Sequence, residues 1–106
     1  MKKHNKLVRD KIPEICQGNG DNPIYKVLRQ SDFKKELKKK LVEESHELLE
    51  SEDVLSLREE MADVYEVLLN ISKSFKIKWS DVEKTRRIKN KKRGSFKKKY
   101  FLISTK

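Results

Sequence analysis

A chain of 106 residues has room for one domain with a modest core. Its single cysteine, Cys16, excludes an intrachain disulfide, and no apolar run approaches the roughly 20 residues of a membrane span. With 35% hydrophobic against 42% charged residues and a net charge of +10, the chain is polar for a self-sufficient monomer, which points to a helical protein whose narrow apolar seams are completed by a second subunit.

The first ten residues hold no apolar stretch of signal-peptide length, so a cytoplasmic, reducing setting without a membrane partner is expected. Asp10 to Gln17 reads as a short helix with Pro13 in its first turn. Gly18 to Pro23 is a loop by composition, and Ile24 to Leu28 reads as a short strand. Ser31 or Asp32 can cap a helix running to about Ser51, and Asp53 can cap a second running to about Phe75. Ser80 and Glu83 form a capping box for a third helix, which Gly94 can end. Tyr100 to Ile103 is a short apolar run suited to pairing with the Ile24 segment. The expected fold is therefore mainly α, a single domain over residues 1–106. An antiparallel helical hairpin completes a four-helix bundle by oligomerisation, and a small two-stranded β element accompanies it.

Charge divides unevenly along the chain. From Lys84 to Lys106 there are eleven Lys and Arg residues and no acid, whereas Ser31 to Glu83 holds fourteen Asp and Glu residues. A basic tail suits phosphate, either on a small ligand or on a nucleic acid backbone, and a solvated lysine surface is the plainer alternative.

The acids are more informative. On a wheel of about 100° per residue, Leu37, Leu41 and Leu48 share a stripe of the first long helix. Glu44 stands inside that stripe and Glu47 at its edge. Leu57, Val64, Val67 and Ile71 form the stripe of the second helix, with Glu60 in its missing position and Asp63 at its edge. If the hairpin turns near Glu52, Glu44 and Glu60 lie equally far from the turn and can face each other. A buried carboxylate has to be neutralised, paired or bound to metal. Pairing with Lys38, Lys39 or Lys40 is the ordinary outcome for one such acid, but the same irregularity in two adjacent helices argues for a shared cation. The oxygen-only donor set suits Mg²⁺ or Mn²⁺, and it lacks the Glu-x-x-His pairs of di-iron bundles. His46 lies off the seam, His4 is uninformative, and neither a P-loop nor a dinucleotide fingerprint is present. Trp79 reads as a core anchor, while Tyr25 and Phe96 suit either packing or base stacking.

The run Glu43-Glu44-Ser45-His46-Glu47, twelve residues, then Glu60-Met61-Ala62-Asp63 resembles the acidic signature of MazG-like all-alpha nucleotide pyrophosphohydrolases. Asn5 to Pro13 resembles the opening of one branch of that superfamily, the predicted house-cleaning noncanonical nucleotide pyrophosphatases, related to phosphoribosyl-ATP pyrophosphohydrolase. Lys89 to Phe96 is similar to the branch's C-terminal segment, except that Ser95 replaces a second glycine, which bears on phosphate contact where close approach or positive φ is needed. The resemblance spans Asn5 to about Phe96.

The resemblance implies metal ligation by Glu44, Glu47, Glu60 and Asp63, with Glu43 and Glu59 beside them. It implies phosphate contacts from Lys89 and Arg93, with Lys6, Arg9 and Lys11 as further candidates whose plain alternative is an exposed cation. The implied reaction is Mg²⁺-dependent hydrolysis of a nucleoside triphosphate to monophosphate and pyrophosphate, with Glu47 or Glu43 accepting the proton of the attacking water. Because one hairpin with acid-interrupted seams cannot close a core alone, the expected assembly is a homodimer or larger symmetric oligomer. The competing reading is a basic, dimeric, nucleic-acid-binding helical module without catalytic activity.

Overall fold

The computed structural model describes residues 2–106. Its elements are four helices: α1 (Ile12–Gly18), α2 (Gln30–Glu50), α3 (Val54–Ser74) and α4 (Trp79–Arg93). The chain divides into two compact units, Met1–Lys76 and Ile77–Lys106.

In the first unit, α2 and α3 pack as an antiparallel hairpin of two 21-residue helices. The turn is short because both ends are closed locally. Ser51 donates through its hydroxyl to the Leu48 carbonyl at 2.8 Å. Asp53 caps α3 as its sequence position predicts, its carboxylate accepting from the Ser56 backbone N–H at 2.8 Å and from the Ser56 hydroxyl at 3.1 Å. At the far end α3 stops at Phe75, whose ring lies under the ammonium groups of Lys34 and Lys38 at 5.0 and 5.1 Å. These cation–π contacts tie the start of α2 to the end of α3.

The core of this hairpin is small. Among the described residues, Leu37 and Val67 are the buried hydrophobics, and Glu44 and Ser72 are buried with them. The other seam residues, Leu41, Leu48, Val64 and Ile71, are half-buried, and Leu57 is exposed. Val42, Leu49, Val54 and Met61 are also exposed on the hairpin, consistent with association between chains.

Three local expectations are corrected. No strand forms among the described residues: Ile24 to Leu28 and Tyr100 to Ile103 are irregular, with Ile24 and Val27 more than nine-tenths exposed. An isolated two-stranded ribbon is marginal without a surface to pack on, and these side chains find none. α2 begins at Gln30, so Ser31 and Asp32 fall inside its first turn, and its N-cap, Arg29, makes no side-chain cap bond. Asp32 there favours the helix through the positive end of its dipole. α4 begins at Trp79 behind Lys78, again without a side-chain cap. The Ser80–Glu83 box does not form, because Glu83 is engaged by Arg86 and Arg87 one turn further on.

α1 starts at Ile12, two residues later than expected, with Pro13 in its first turn. Gly94 ends α4 with φ of +80°, a conformation that glycine adopts without the Cβ penalty. Trp79 is half-buried. No helix among the described residues is long and apolar enough to cross a membrane.

Candidate metal centre

The hairpin turn spans residues 51–53, so Glu44 and Glu60 do stand at matching heights on facing helices. Glu47 and Asp63 each follow one turn later on the same faces, as i, i+3 spacing requires. Each of the four carboxylates offers one oxygen, and these oxygens all lie within 4.8 Å of one another. Glu44 is buried, Glu60 and Asp63 are half-buried, and Glu47 is exposed at the rim. The cluster can hold a divalent metal ion.

Exposed acids often cluster without binding anything, so the polar atoms that find no partner are more telling. Glu44 Oε2 and Glu60 Oε2 are both buried and accept no hydrogen bond. A buried, unsatisfied carboxylate oxygen costs more than a lost hydrogen bond between neutral groups, and here one comes from each helix. Divalent-cation coordination would satisfy both, and the donor chemistry fits a hard ion. Lys40 supplies part of the compensation, as an isolated seam acid would require. Its ammonium lies 3.4 Å from Glu44 Oε1 and 3.1 Å from Glu43 Oε2, but it leaves Glu44 Oε2 unpaired.

The electrostatics match this account. Burial pushes the Glu44 carboxyl above its ordinary value; the hydrogen bond and charge of Glu47 add to the effect, and Lys40 opposes it. Glu43 behaves differently. Burial disfavours its charge, but hydrogen bonds from Lys6 and Lys40 prevail and hold it below the usual glutamate value. The Lys6 ammonium, donating to Glu43 Oε1 at 3.0 Å, is correspondingly raised.

Two of the basic residues singled out from the sequence therefore reach the acids directly. Lys6 pairs with Glu43, and the Arg9 guanidinium pairs with Asp63 Oδ1 at 2.7 Å. The segment carrying them passes beside α2 and α3 and forms one wall of a groove of about 410 Å³. Lys11 lines that groove, as do Lys40, Glu44 and Asp63. Lys89 and Arg93 are exposed on α4 in the second unit, four residues apart on one helix face. His46 is exposed, as its off-seam position predicts, and so are His4, Tyr25, Glu59 and Phe96.

Sequence reasoning overlooked the groove itself. Its far end is built from Phe33, Val67 and Asn70. The available signal was spacing, since Asp63, Val67 and Asn70 are separated by four and three residues and so share one face of α3.

Comparison with protein-family models, with curated proteins and with solved structures finds no match to this chain.

Proposed function

We propose that the protein is a Mg²⁺- or Mn²⁺-dependent nucleotide pyrophosphohydrolase acting between the α- and β-phosphates of a nucleoside triphosphate. The observation that carries this reading is the pair of buried, unpartnered oxygens, Glu44 Oε2 and Glu60 Oε2, in a four-carboxylate cluster shared by two helices. The resemblance of the acidic motif and its flanking segments to MazG-like enzymes of the house-cleaning branch supplies the reaction class.

In this reading Glu44, Glu47, Glu60 and Asp63 hold the cation. A divalent ion there would neutralise phosphate oxygens and acidify a water molecule. Glu47, exposed at the rim, is the better placed of the two candidate bases. Glu43 is already held as a carboxylate by Lys6 and Lys40, so its role is to position those cations. Arg9, Lys6 and Lys11, on the segment beside the cluster, receive the phosphates, and Lys89 and Arg93 stabilise the leaving pyrophosphate. The single domain over residues 1–106 and its homodimeric or larger assembly belong to the same proposal.

The test is pyrophosphate release from a panel of standard and modified nucleotides, with Mg²⁺, with Mn²⁺ and with chelator. Release that depends on the ion supports the assignment; equal release in excess chelator overturns it. A second reading rests on the basic stretch from Lys84 onward, which suits backbone phosphates of a nucleic acid. It leaves the two buried orphan oxygens without a role.

A further inference from the structure

The groove that adjoins the acidic cluster has a second end with a different character. Leu7 and Val8 form its outer wall, and Phe33, Leu37 and Val67 line its floor on α2 and α3. Glu44 and Asp63 belong to the same lining, so the apolar end and the proposed metal end are continuous. Asn70 lies seven residues beyond Asp63 on α3, about 10 Å along the helix. That reach suits a nucleoside whose phosphates sit at the cluster.

Asn70 does not present its amide at random. Its Nδ2 donates to the Glu66 backbone carbonyl at 2.9 Å and to Glu66 Oε2 at 2.7 Å. Both amide hydrogens are thereby committed, which fixes the flip of the side chain and leaves Oδ1 as the atom it can offer a ligand. Glu66 also lines the groove, and its carboxylate is acceptor-only. The cations of the lining are occupied elsewhere: Arg9 is tied to Asp63, and Lys40 to Glu43 and Glu44. Lys11, the remaining one, belongs with the phosphates in the reading above.

We infer that this groove is a nucleobase site selective for bases that carry an exocyclic amino group, with Asn70 as the specificity-determining residue and Glu66 as the residue that positions it. The inference rests on the pyrophosphohydrolase reading for the placement of the phosphates. An amino group offers two N–H donors and can serve Asn70 Oδ1 and the Glu66 carboxylate together. A carbonyl at the same position sets a third acceptor against two others and loses its hydration without gaining a donor. The ring N–H beside that carbonyl, in uracil- and hypoxanthine-type bases alike, offers one donor where the amino group offers two, and it leaves the carbonyl facing the acceptor that it does not serve.

The experiment is equilibrium binding by calorimetry on the full chain in Mg²⁺, using the α,β-methylene analogues of CTP, UTP, ATP and ITP. Within each pair the base edge changes from amino to oxo and the adjacent ring nitrogen from an acceptor to an N–H, and the analogues cannot be cleaved between the α- and β-phosphates. The amino member of each pair should bind about tenfold more tightly, the scale of one hydrogen bond between well-placed groups. Asn70→Ala should bring both ratios close to one. Glu66→Ala, which frees the amide to turn, should also shrink them, and it guards against a folding defect peculiar to the first variant. Equal binding within each pair by the parent, or a preference that survives in both variants, overturns the inference. The outcome separates from that of the reaction itself. Pyrophosphate release without an amino preference leaves the enzyme reading standing and removes this one. An amino preference in a protein that cleaves nothing does the reverse, and failure of all four analogues to bind removes both.

Discussion

Arg9 and Asp63, far apart in the sequence, are joined by a 2.7 Å ion pair at the edge of the carboxylate cluster. Arg9 thus holds one oxygen of a carboxylate that belongs to the candidate metal cluster. If Asp63 is a ligand, metal binding competes with this contact, and the released Arg9 becomes available to phosphate. The Arg9 side chain is 60% exposed, so the pair is worth less than about 1 kcal/mol. Arg9→Gln should therefore tighten Mn²⁺ binding by a few-fold in an electron-paramagnetic-resonance titration while slowing nucleotide turnover. An unaltered Mn²⁺ titration would show that the ion and Arg9 do not compete for Asp63.

The two seam acids separate catalysis from stability. Glu44 and Glu60 stand where the helix pattern calls for an apolar side chain, and each carries a buried oxygen without a partner. Glu44→Leu and Glu60→Leu should keep the fold and raise the melting temperature in chelator, because unpaired desolvation is removed. Both should abolish hydrolysis and lose the added stability that Mg²⁺ gives the parent, about 2.7 kcal/mol at a hundredfold excess over its Kd. Thermal melts with Mg²⁺ and with chelator read all of this. Lower melting in chelator together with retained hydrolysis would make these acids structural salt-bridge partners, as Glu44 is of Lys40.

Association should complete the core. Leu37 and Val67 are the only buried hydrophobics among the described residues, while Val42, Leu49, Val54 and Met61 are exposed along the same hairpin. A shallow depression between Leu41, Val42, Ser45, His46 and Leu49 continues that apolar surface on α2. Sedimentation at micromolar concentration should give at least twice the 12.6 kDa chain mass. The double substitution Val42→Asp, Leu49→Asp should shift the population toward the single chain and lower its melting temperature. A parent sedimenting only as a monomer would remove the interface.

The hairpin and its four acids were legible because both follow from helix periodicity. Apolar residues at three- and four-residue spacings define the seams, and an acid replacing one of them is conspicuous. Asp53 was legible as a cap because it directly precedes an apolar periodic run. The Ser80–Glu83 box misled because Glu83 had competing partners in Arg86 and Arg87, which a cap motif does not register. The β element misled because short apolar runs such as Ile24 to Leu28 suit a strand only when a sheet is available. The Arg9–Asp63 pair was not readable by periodicity, since an irregular segment can cross a helix pair in many registers. The Asn70 amide was hidden for a related reason, because its meaning depends on the Glu66 bonds that lock it.

The basic stretch distinguishes the two functional readings. If Lys89 and Arg93 meet the phosphates of a nucleotide, Arg93→Ala should reduce kcat by roughly 10²-fold, the scale of losing one charge-stabilising donor. Binding to duplex or single-stranded nucleic acid should then stay weak and unselective. If the stretch serves a nucleic acid instead, affinity should fall steeply with salt, and Arg93→Ala should reduce that slope by about one. Unchanged hydrolysis in Arg93→Ala alongside strong, salt-sensitive nucleic acid binding would favour the second reading.

The pH dependence of stability should reverse with metal. Burial and Glu47 raise the Glu44 carboxyl above its ordinary value, so between the ordinary and raised values the native state holds a proton that the unfolded chain has lost. The slope of unfolding free energy with pH follows the proton count of the unfolded state minus that of the native state, so it is negative in this window. The stabilisation is thus complete below the ordinary glutamate pKa and disappears as pH rises through the raised one. Its slope is bounded at about 1.4 kcal/mol per pH unit for one proton. Glu43 contributes with the opposite sign and at lower pH, because its depressed value is lost only as pH falls through it. Denaturant titrations of the chelated parent between the ordinary glutamate pKa and the raised Glu44 value should therefore show stability declining with pH, and Glu44→Gln should flatten the decline. Saturating Mg²⁺ needs the carboxylate ionised, so the same titration in Mg²⁺ should show stability rising with pH. A parent and a Glu44→Gln variant with parallel pH profiles in chelator would show that Glu44 titrates like an exposed glutamate, leaving the buried oxygen no reason to seek a cation.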